Sequence, residues 1–191
     1  GLGDVYKRQA SDVYKRQDLA TAWSTISEQQ INRFLHVPES AEDLVQKNKM
    51  QRRMGQLTGT CFQRCAGLDT LSVLFSITYD IDKKHGTPYH ARYVNFLKKA
   101  QSNNLIVGAG MTDPKGDRSK RPSDQADPDL FMHVTRRTDE GLYVKGAKAH
   151  MTGGLNSHWI CVMPTMNMLE GDRDYAVVGM IPATAPGLTY V

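Results

Sequence analysis

Residues 66 to 86 read "AGLDTLSVLFSITYDIDKKHG", with Leu68, Leu71, Leu74, Phe75, Thr78 and Ile81 at helical spacing and Gly86 placed to stop the helix. Residues 88 to 104, "PYHARYVNFLKKAQSNN", open on Pro88 and set Tyr89, Tyr93, Phe96 and Ala100 on one side of a second helix. Upstream, "ESAEDLVQKNKMQRRMG" carries Ser40 and Asp43 at the spacing of a helix start: the short side chain accepts an orphan N–H and the acid suits the positive helix end. These stripes make residues 18 to 107 a helical domain. Beyond Val107, glycine, proline and short β-prone runs take over. "LFMHVTRR", "GLYVKGAKAHM", "HWICVMPT" and "DYAVVGMIPA" read as strands between turn signals such as Asp139-Glu140-Gly141, so residues 108 to 191 form a β domain. Within it lies the polar loop "MTDPKGDRSKRPSDQADPD", of a length usually kept for function or disorder. The run stops at Val191 inside an unfinished β region, and a further C-terminal portion is expected.

The start of the chain repeats DVYKRQ, at residues 4 to 9 and 12 to 17. Structural repeats need about twenty or more residues and at least about three copies. The hexapeptide back-translates to a transposon end used in preparing sequencing libraries, so residues 1 to 17 are read as a non-native scar and set aside. This removes Lys7, Arg8, Lys15 and Arg16 against Asp4 and Asp12, and the formal net charge falls from +4 to +2. The remaining excess gives no footprint for nucleic acid or an anionic membrane. No signal peptide or long apolar run can be read, which points to a cytoplasmic chain with no membrane partner. Its 191 residues, 40% hydrophobic, suffice for one good core or two small ones. Three cysteines without secretory features argue against a disulfide framework.

Cys61 and Cys65 stand four apart in "GQLTGTCFQRCAG", where one helical face could turn both thiolates toward a single metal. The spacing alone is a weak signal: zinc ribbons and bacterial ferredoxins use other patterns, and a buried free cysteine behaves as a small hydrophobe. Cys161 reads as a buried strand cysteine, and His158 three residues before it would point to the opposite face. In "MTDPKGDR", Asp113-Pro114 forms a turn, Gly116 lets backbone N–H groups approach an anion, and Lys115 and Arg118 supply positive donors for pyrophosphate or a carboxylate. Composition by itself makes this a solvated loop.

Three motifs in order, "TGTCFQRCAGLDTL", "MTDPKGDRS", and "GAKAHMTGGLNSH" followed by "MPT", resemble the 4-hydroxybutyryl-CoA dehydratase branch of the 4-hydroxyphenylacetate 3-hydroxylase flavoprotein family, over about residues 40 to 191. The resemblance implies an α+β, acyl-CoA dehydrogenase-like architecture: an N-terminal helical domain, a central β domain that is incomplete here, and a C-terminal helical domain that is missing. It implies FAD and a 4Fe-4S cluster held by three cysteines and a histidine. Cys61 and Cys65 match two of these ligands, and the other Cys and the His belong to a segment beyond Val191. Thr112, Asp113, Lys115, Gly116, Asp117 and Arg118, together with His150, Thr152 and Gly153, match flavin-contacting segments. "GLYVKGAKAHMTG" echoes the G-x-x-x-x-G-x-K strand-turn-strand of acyl-CoA dehydrogenases, in which Lys148 pairs structurally and His150 or Thr152 lies nearer the ring. Gln63 matches a catalytic position near the cluster that orients substrate or ligand, and Arg52 or Arg53 could face the same site.

The implied reaction is dehydration of 4-hydroxybutyryl-CoA to crotonyl-CoA, with isomerisation of vinylacetyl-CoA. The β C–H is not activated by the thioester. The family's proposed route is α-deprotonation, one-electron oxidation by FAD to acidify the β proton, and Lewis-acid help from the cluster to the leaving hydroxyl. The implied partners are an acyl-CoA substrate and, in a full-length parent, the other subunits of a homotetramer. An aromatic hydroxylase of the same superfamily shares the architecture but lacks the cysteine pair. A non-catalytic fragment is the third reading, and this chain alone is expected to show no turnover.

Overall fold

The computed structural model describes residues 19–59, 64–151 and 153–191, with the side chains of residues 64–68 outside the description. The suspected scar, Cys61, Gln63 and Thr152 therefore lie outside the described residues, as does the Cys65 side chain. The chain divides into two compact units, Gly1–Leu105 and Ile106–Val191.

The first unit opens on an antiparallel hairpin, β1 (Thr21–Ser24) against β2 (Gln29–Asn32), turned through a left-handed Glu28 at φ 54°. Helical patterning downstream concealed this hairpin. Helix α1 (Ala41–Thr58) starts with a reciprocal cap: Ser40 Oγ accepts the Asp43 N–H at 3.2 Å, and the Asp43 carboxylate accepts the Ser40 N–H at 3.0 Å. It ends at Gly59, left-handed at φ 69°. Helices α2 (Arg64–His85) and α3 (Tyr89–Ser102) form an antiparallel pair around Gly86 at φ 66°. Asp82, in the last turn of α2, caps α3: its carboxylate accepts from Thr87 Oγ1 at 2.6 Å, Tyr89 N at 2.9 Å and His90 N at 2.7 Å.

Leu35, Leu71, Leu97 and Ala100 are among the most buried core residues of this unit, with Tyr93, whose hydroxyl donates to Leu71 O at 2.8 Å. Tyr89 departs from the expected stripe. In the first turn it is the neighbouring His90 that packs against α2, its ring 4.9 Å from that of Phe75, and Tyr89 is left 48% exposed. Gln101 crosses the core with both ends satisfied, accepting from Ser24 Oγ at 2.9 Å and donating to Leu35 O at 2.9 Å.

In the second unit, β3 (Val107–Gly110) is the edge of a three-stranded sheet; β4 (His133–Thr138) and β5 (Gly141–Lys145) make a separate hairpin; and β6 (Trp159–Val162) and β7 (Gly179–Pro182) complete the sheet in the order β3-β6-β7. β3 pairs parallel with β6, Val107 opposite Trp159, and β6 pairs antiparallel with β7. Composition gives β3 no strand signal, because its sequence is VGAG. The sheet makes it a strand, and its glycines suit close neighbours: a Cβ on Gly108 would meet Ser157 Oγ at 2.6 Å, and one on Gly110 would meet Met151 Sδ at 3.3 Å. Ile160, Val162, Met132, Val134 and Val177 form the core, with Met151 and Ile181 packed against it.

Candidate flavin-binding loops

The parallel strands β3 and β6 run out side by side at Met111 and Met163, and Lys148 meets both. Its ammonium donates to Met163 O at 2.8 Å and Met111 O at 3.3 Å, and pairs with Asp113 Oδ1. Asp113 Oδ2 accepts from Thr165 Oγ1 at 2.9 Å and, more weakly, from Thr165 N at 3.4 Å. Both charged side chains are buried, 8% and 7% exposed, and each is nearly saturated by partners. Ala149 N donates to Thr112 O at 2.8 Å, so the segment after β5 and the segment after β3 are tied twice. The carboxylate of Asp113 is thus spent within the protein.

The rest of the loop is held from below by Gln125. Its Oε1 accepts from Asp117 N at 3.0 Å, and its Nε2 donates to Asp117 O at 2.9 Å. Gly116 is closely packed here: a Cβ would collide with Gln125 Oε1 and meet Leu130 Cδ2 at 2.5 Å, so both side-chain ends would have to shift. Asp117 closes a local turn, accepting from Ser119 Oγ at 2.6 Å and Ser119 N at 3.0 Å, and these bonds hold its carboxyl below the usual range. Lys115 and Arg118 differ from these neighbours. Both are exposed, and neither makes an ion pair among the described residues. An ordered loop with two unpaired cations suits a diphosphate, which offers several acceptor oxygens.

His150 and Gly153 take left-handed backbone, at φ 53° and 75°. For histidine that conformation is uncommon, and such residues collect where surrounding structure over-determines them. His150 is exposed, while Met151 between these turns packs toward Gly110 and Gly154. The exposed Thr112, Lys115, Arg118, His150 and Gly153 are thus brought onto two segments joined by the Lys148 tie. Thr165, Gln125 and the Arg121–Asp172 pair behind the loop escaped the sequence reading. "MPT" was recognised only as a motif, and nothing local marks a threonine whose partner lies 52 residues away.

Cys161 is fully buried in β6, and burial pushes its thiol up to about 12, the state of an inert core cysteine. His158 Nδ1 accepts the Ile106 N–H at 3.0 Å. Among the described residues no group of three His, Cys, Asp or Glu side chains could hold a metal ion. In the first unit, Arg53 lines a largely apolar cavity of about 260 Å³ with Phe34, Met50, Met54 and Leu57. No helix among the described residues is long and apolar enough to cross a membrane.

Comparison with known proteins supports an α+β fold of the acyl-CoA dehydrogenase-like class. A curated 4-hydroxybutyryl-CoA dehydratase/vinylacetyl-CoA-Δ-isomerase of Clostridium aminobutyricum is 50% identical over 171 residues, 90% of this chain and 35% of that protein. The structure of an oxygen-tolerant archaeal 4-hydroxybutyryl-CoA dehydratase from N. maritimus superposes with a TM-score of 0.88 at 57% identity, covering 91% of this chain and 35% of that one. The oxygenase component of 4-hydroxyphenylacetate 3-monooxygenase, complexed with FAD, shares the fold at a TM-score of 0.71 and 18% identity, with 91% and 35% covered. The chain spans about a third of the length of these relatives, 35% in each case. The family described as 4-hydroxyphenylacetate 3-hydroxylase N terminal matches residues 3–191, and the chain belongs to it.

Proposed function

We propose that this chain is the N-terminal part of an FAD-dependent dehydratase that converts 4-hydroxybutyryl-CoA to crotonyl-CoA and isomerises vinylacetyl-CoA. The contrast in likeness carries the reading: 57% identity with the archaeal dehydratase against 18% with the FAD-bound oxygenase, each over 91% of the chain. The C-x3-C pair of "TGTCFQRC" supports the same choice.

The described residues fit a flavin dinucleotide. Lys115 and Arg118 have charge to spare for its diphosphate, and His150 with Gly153 would meet the flavin from the second segment, joined on the sequence motif alone by Thr152. When bound, the flavin supplies an electron acceptor for a substrate deprotonated beside its thioester. The protein's own work is to bind and orient: the Asp113–Lys148 tie keeps the two loops in register, and the packing of Met151 keeps the second loop against the sheet. Cys61 and Cys65 supply two ligands of a 4Fe-4S cluster and Gln63 orients substrate beside it, a reading that rests on the sequence motif. The substrate is an acyl-CoA, and the assembled enzyme is a homotetramer.

The test uses protein expressed anaerobically from the whole reading frame at this locus, offered 4-hydroxybutyryl-CoA in one reaction and 4-hydroxyphenylacetate with reduced flavin and oxygen in another. Crotonyl-CoA is the expected product, lost in Cys61→Ser and Cys65→Ser together with bound iron. Hydroxylation of the phenol in place of dehydration would transfer the chain to the oxygenases. The 191-residue chain alone is expected to give no turnover, and a measurable rate would overturn that part.

A further inference from the structure

We infer that Asp113 and Lys148 act as a positioning pair for the flavin loops, and that Asp113 serves the cofactor through Lys148 rather than by touching it. The inference rests on the flavin reading above. Asp113 sits in the motif whose neighbours Lys115 and Arg118 are exposed, yet its own side chain is 7% exposed and turned onto Lys148 and Thr165. Lys148 stands two residues before His150, and its ammonium grips the carbonyls of Met111 and Met163 where two parallel strands separate. Together with the Ala149 N–Thr112 O bond, this ammonium sets the distance between the segment bearing Lys115 and Arg118 and the segment bearing His150 and Gly153. Each segment alone offers only part of a dinucleotide site. Their separation decides whether one ligand can engage both.

A buried pair of this kind has a distinctive response to mutation. Removing one charge leaves the other desolvated and unpaired, which is strongly destabilising, whereas replacing both by neutral groups of similar shape is tolerated better. Two residues that act as a unit are also non-additive in any function they support. Asp113→Asn, Lys148→Met and the double variant in the full chain should therefore be titrated with FAD by fluorescence quenching, below the melting temperature of every variant. Each single change is expected to weaken FAD binding about tenfold, the loss of one charge-assisted interaction. The double variant is expected to bind no worse than the weaker single, while its apo melting temperature recovers above that of either single.

A merely structural pair would move the melting temperature and leave FAD affinity and the fine structure of the bound flavin's visible band unchanged. Wild-type affinity in the double variant would overturn the inference, and so would additive losses, which would place Asp113 directly on the flavin. Should the single variants not fold, Thr165→Val removes one hydroxyl donor from Asp113 and leaves the ion pair in place. It is expected to weaken FAD about threefold, and unchanged affinity would overturn the inference. Absence of FAD binding by the wild-type chain would instead refute the flavin reading, and the inference with it.

Discussion

Replacing Asp172 by Asn tests whether the long loop before β4 is held by charge or by packing. Asp172 is 1% exposed. Its Oδ2 accepts from Arg121 Nε at 2.9 Å and Leu169 N at 3.2 Å, and its Oδ1 from Ser123 Oγ at 2.8 Å and Ser123 N at 3.2 Å. Burial by itself would raise the carboxyl's pKa. The hydrogen bonds from Arg121, Ser123 and the Leu169 N–H outweigh it and hold the group at about 2, against an ordinary 3.8. At roughly 1.4 kcal/mol for each tenfold change in proton affinity, that lowering is worth about 2 kcal/mol.

Because the folded value is depressed, this stability is fully present above the unfolded value. It is lost as pH falls through the folded one, between about 4 and about 2. At neutral pH Asp172→Asn is expected to cost at least about 2 kcal/mol, approaching the roughly 3–5 kcal/mol typical of a broken buried pair. For a unit of this size that is about 10 °C or more in melting temperature. Urea unfolding followed by tryptophan fluorescence measures it, with Trp159 reporting from β6. The gap between wild type and variant should close as the pH approaches about 2, where the wild-type carboxyl is itself protonated. A gap of the same size at all pH values would show that shape, not charge, is what the variant loses.

Lys115→Ala and Arg118→Ala are each expected to weaken FAD binding about tenfold and to flatten its salt dependence, read by the same fluorescence titration; unchanged affinity would remove the diphosphate role. Gly146→Ala should be the more damaging of two glycine substitutions. At φ 128° its Cβ would lie 2.5 Å from both Met132 Cα and Phe131 O, backbone that cannot yield, so about 3 kcal/mol or more is expected. Gly116→Ala meets only side chains and should cost about 1–3 kcal/mol, so thermal melts that reverse this order would contradict the packing described. Cys161 should resist iodoacetamide in the folded chain and react in urea, followed by peptide mass spectrometry; equal rates in both would mean that β6 opens freely.

Features governed by short-range rules were legible from the residues. Gly86 stops α2 because left-handed backbone is open to glycine, and Ser40 with Asp43 starts α1 because the satisfied groups lie within one turn. Cys161 reads as a core cysteine from its place in an apolar strand. The first hairpin was missed because Thr21–Ser24 and Gln29–Asn32 are four residues each, too short to show a period. β3 was missed because VGAG becomes a strand only when β6 lies beside it.

In the candidate site the division is sharper. The motif "MTDPKGDR" brought Thr112 to Arg118 to notice, but their separate duties were invisible. Gly116 suits an approaching anion by its type, and only the fold shows that Gln125 and Leu130 occupy the space a Cβ would need there. Asp113 and Lys115 are two residues apart in one polar loop, and nothing local says that the first is buried against Lys148 while the second stays exposed. Sequence alone thus determined the three long helices, the boundaries at Ser40 and Gly86, the change of texture near Val107 and the motifs that mark the family, all properties of neighbours along the chain. Only the tertiary structure decided which charges are spent and which are free, because an ion pair between residues 35 apart is made by folding, and desolvation then commits both partners to it.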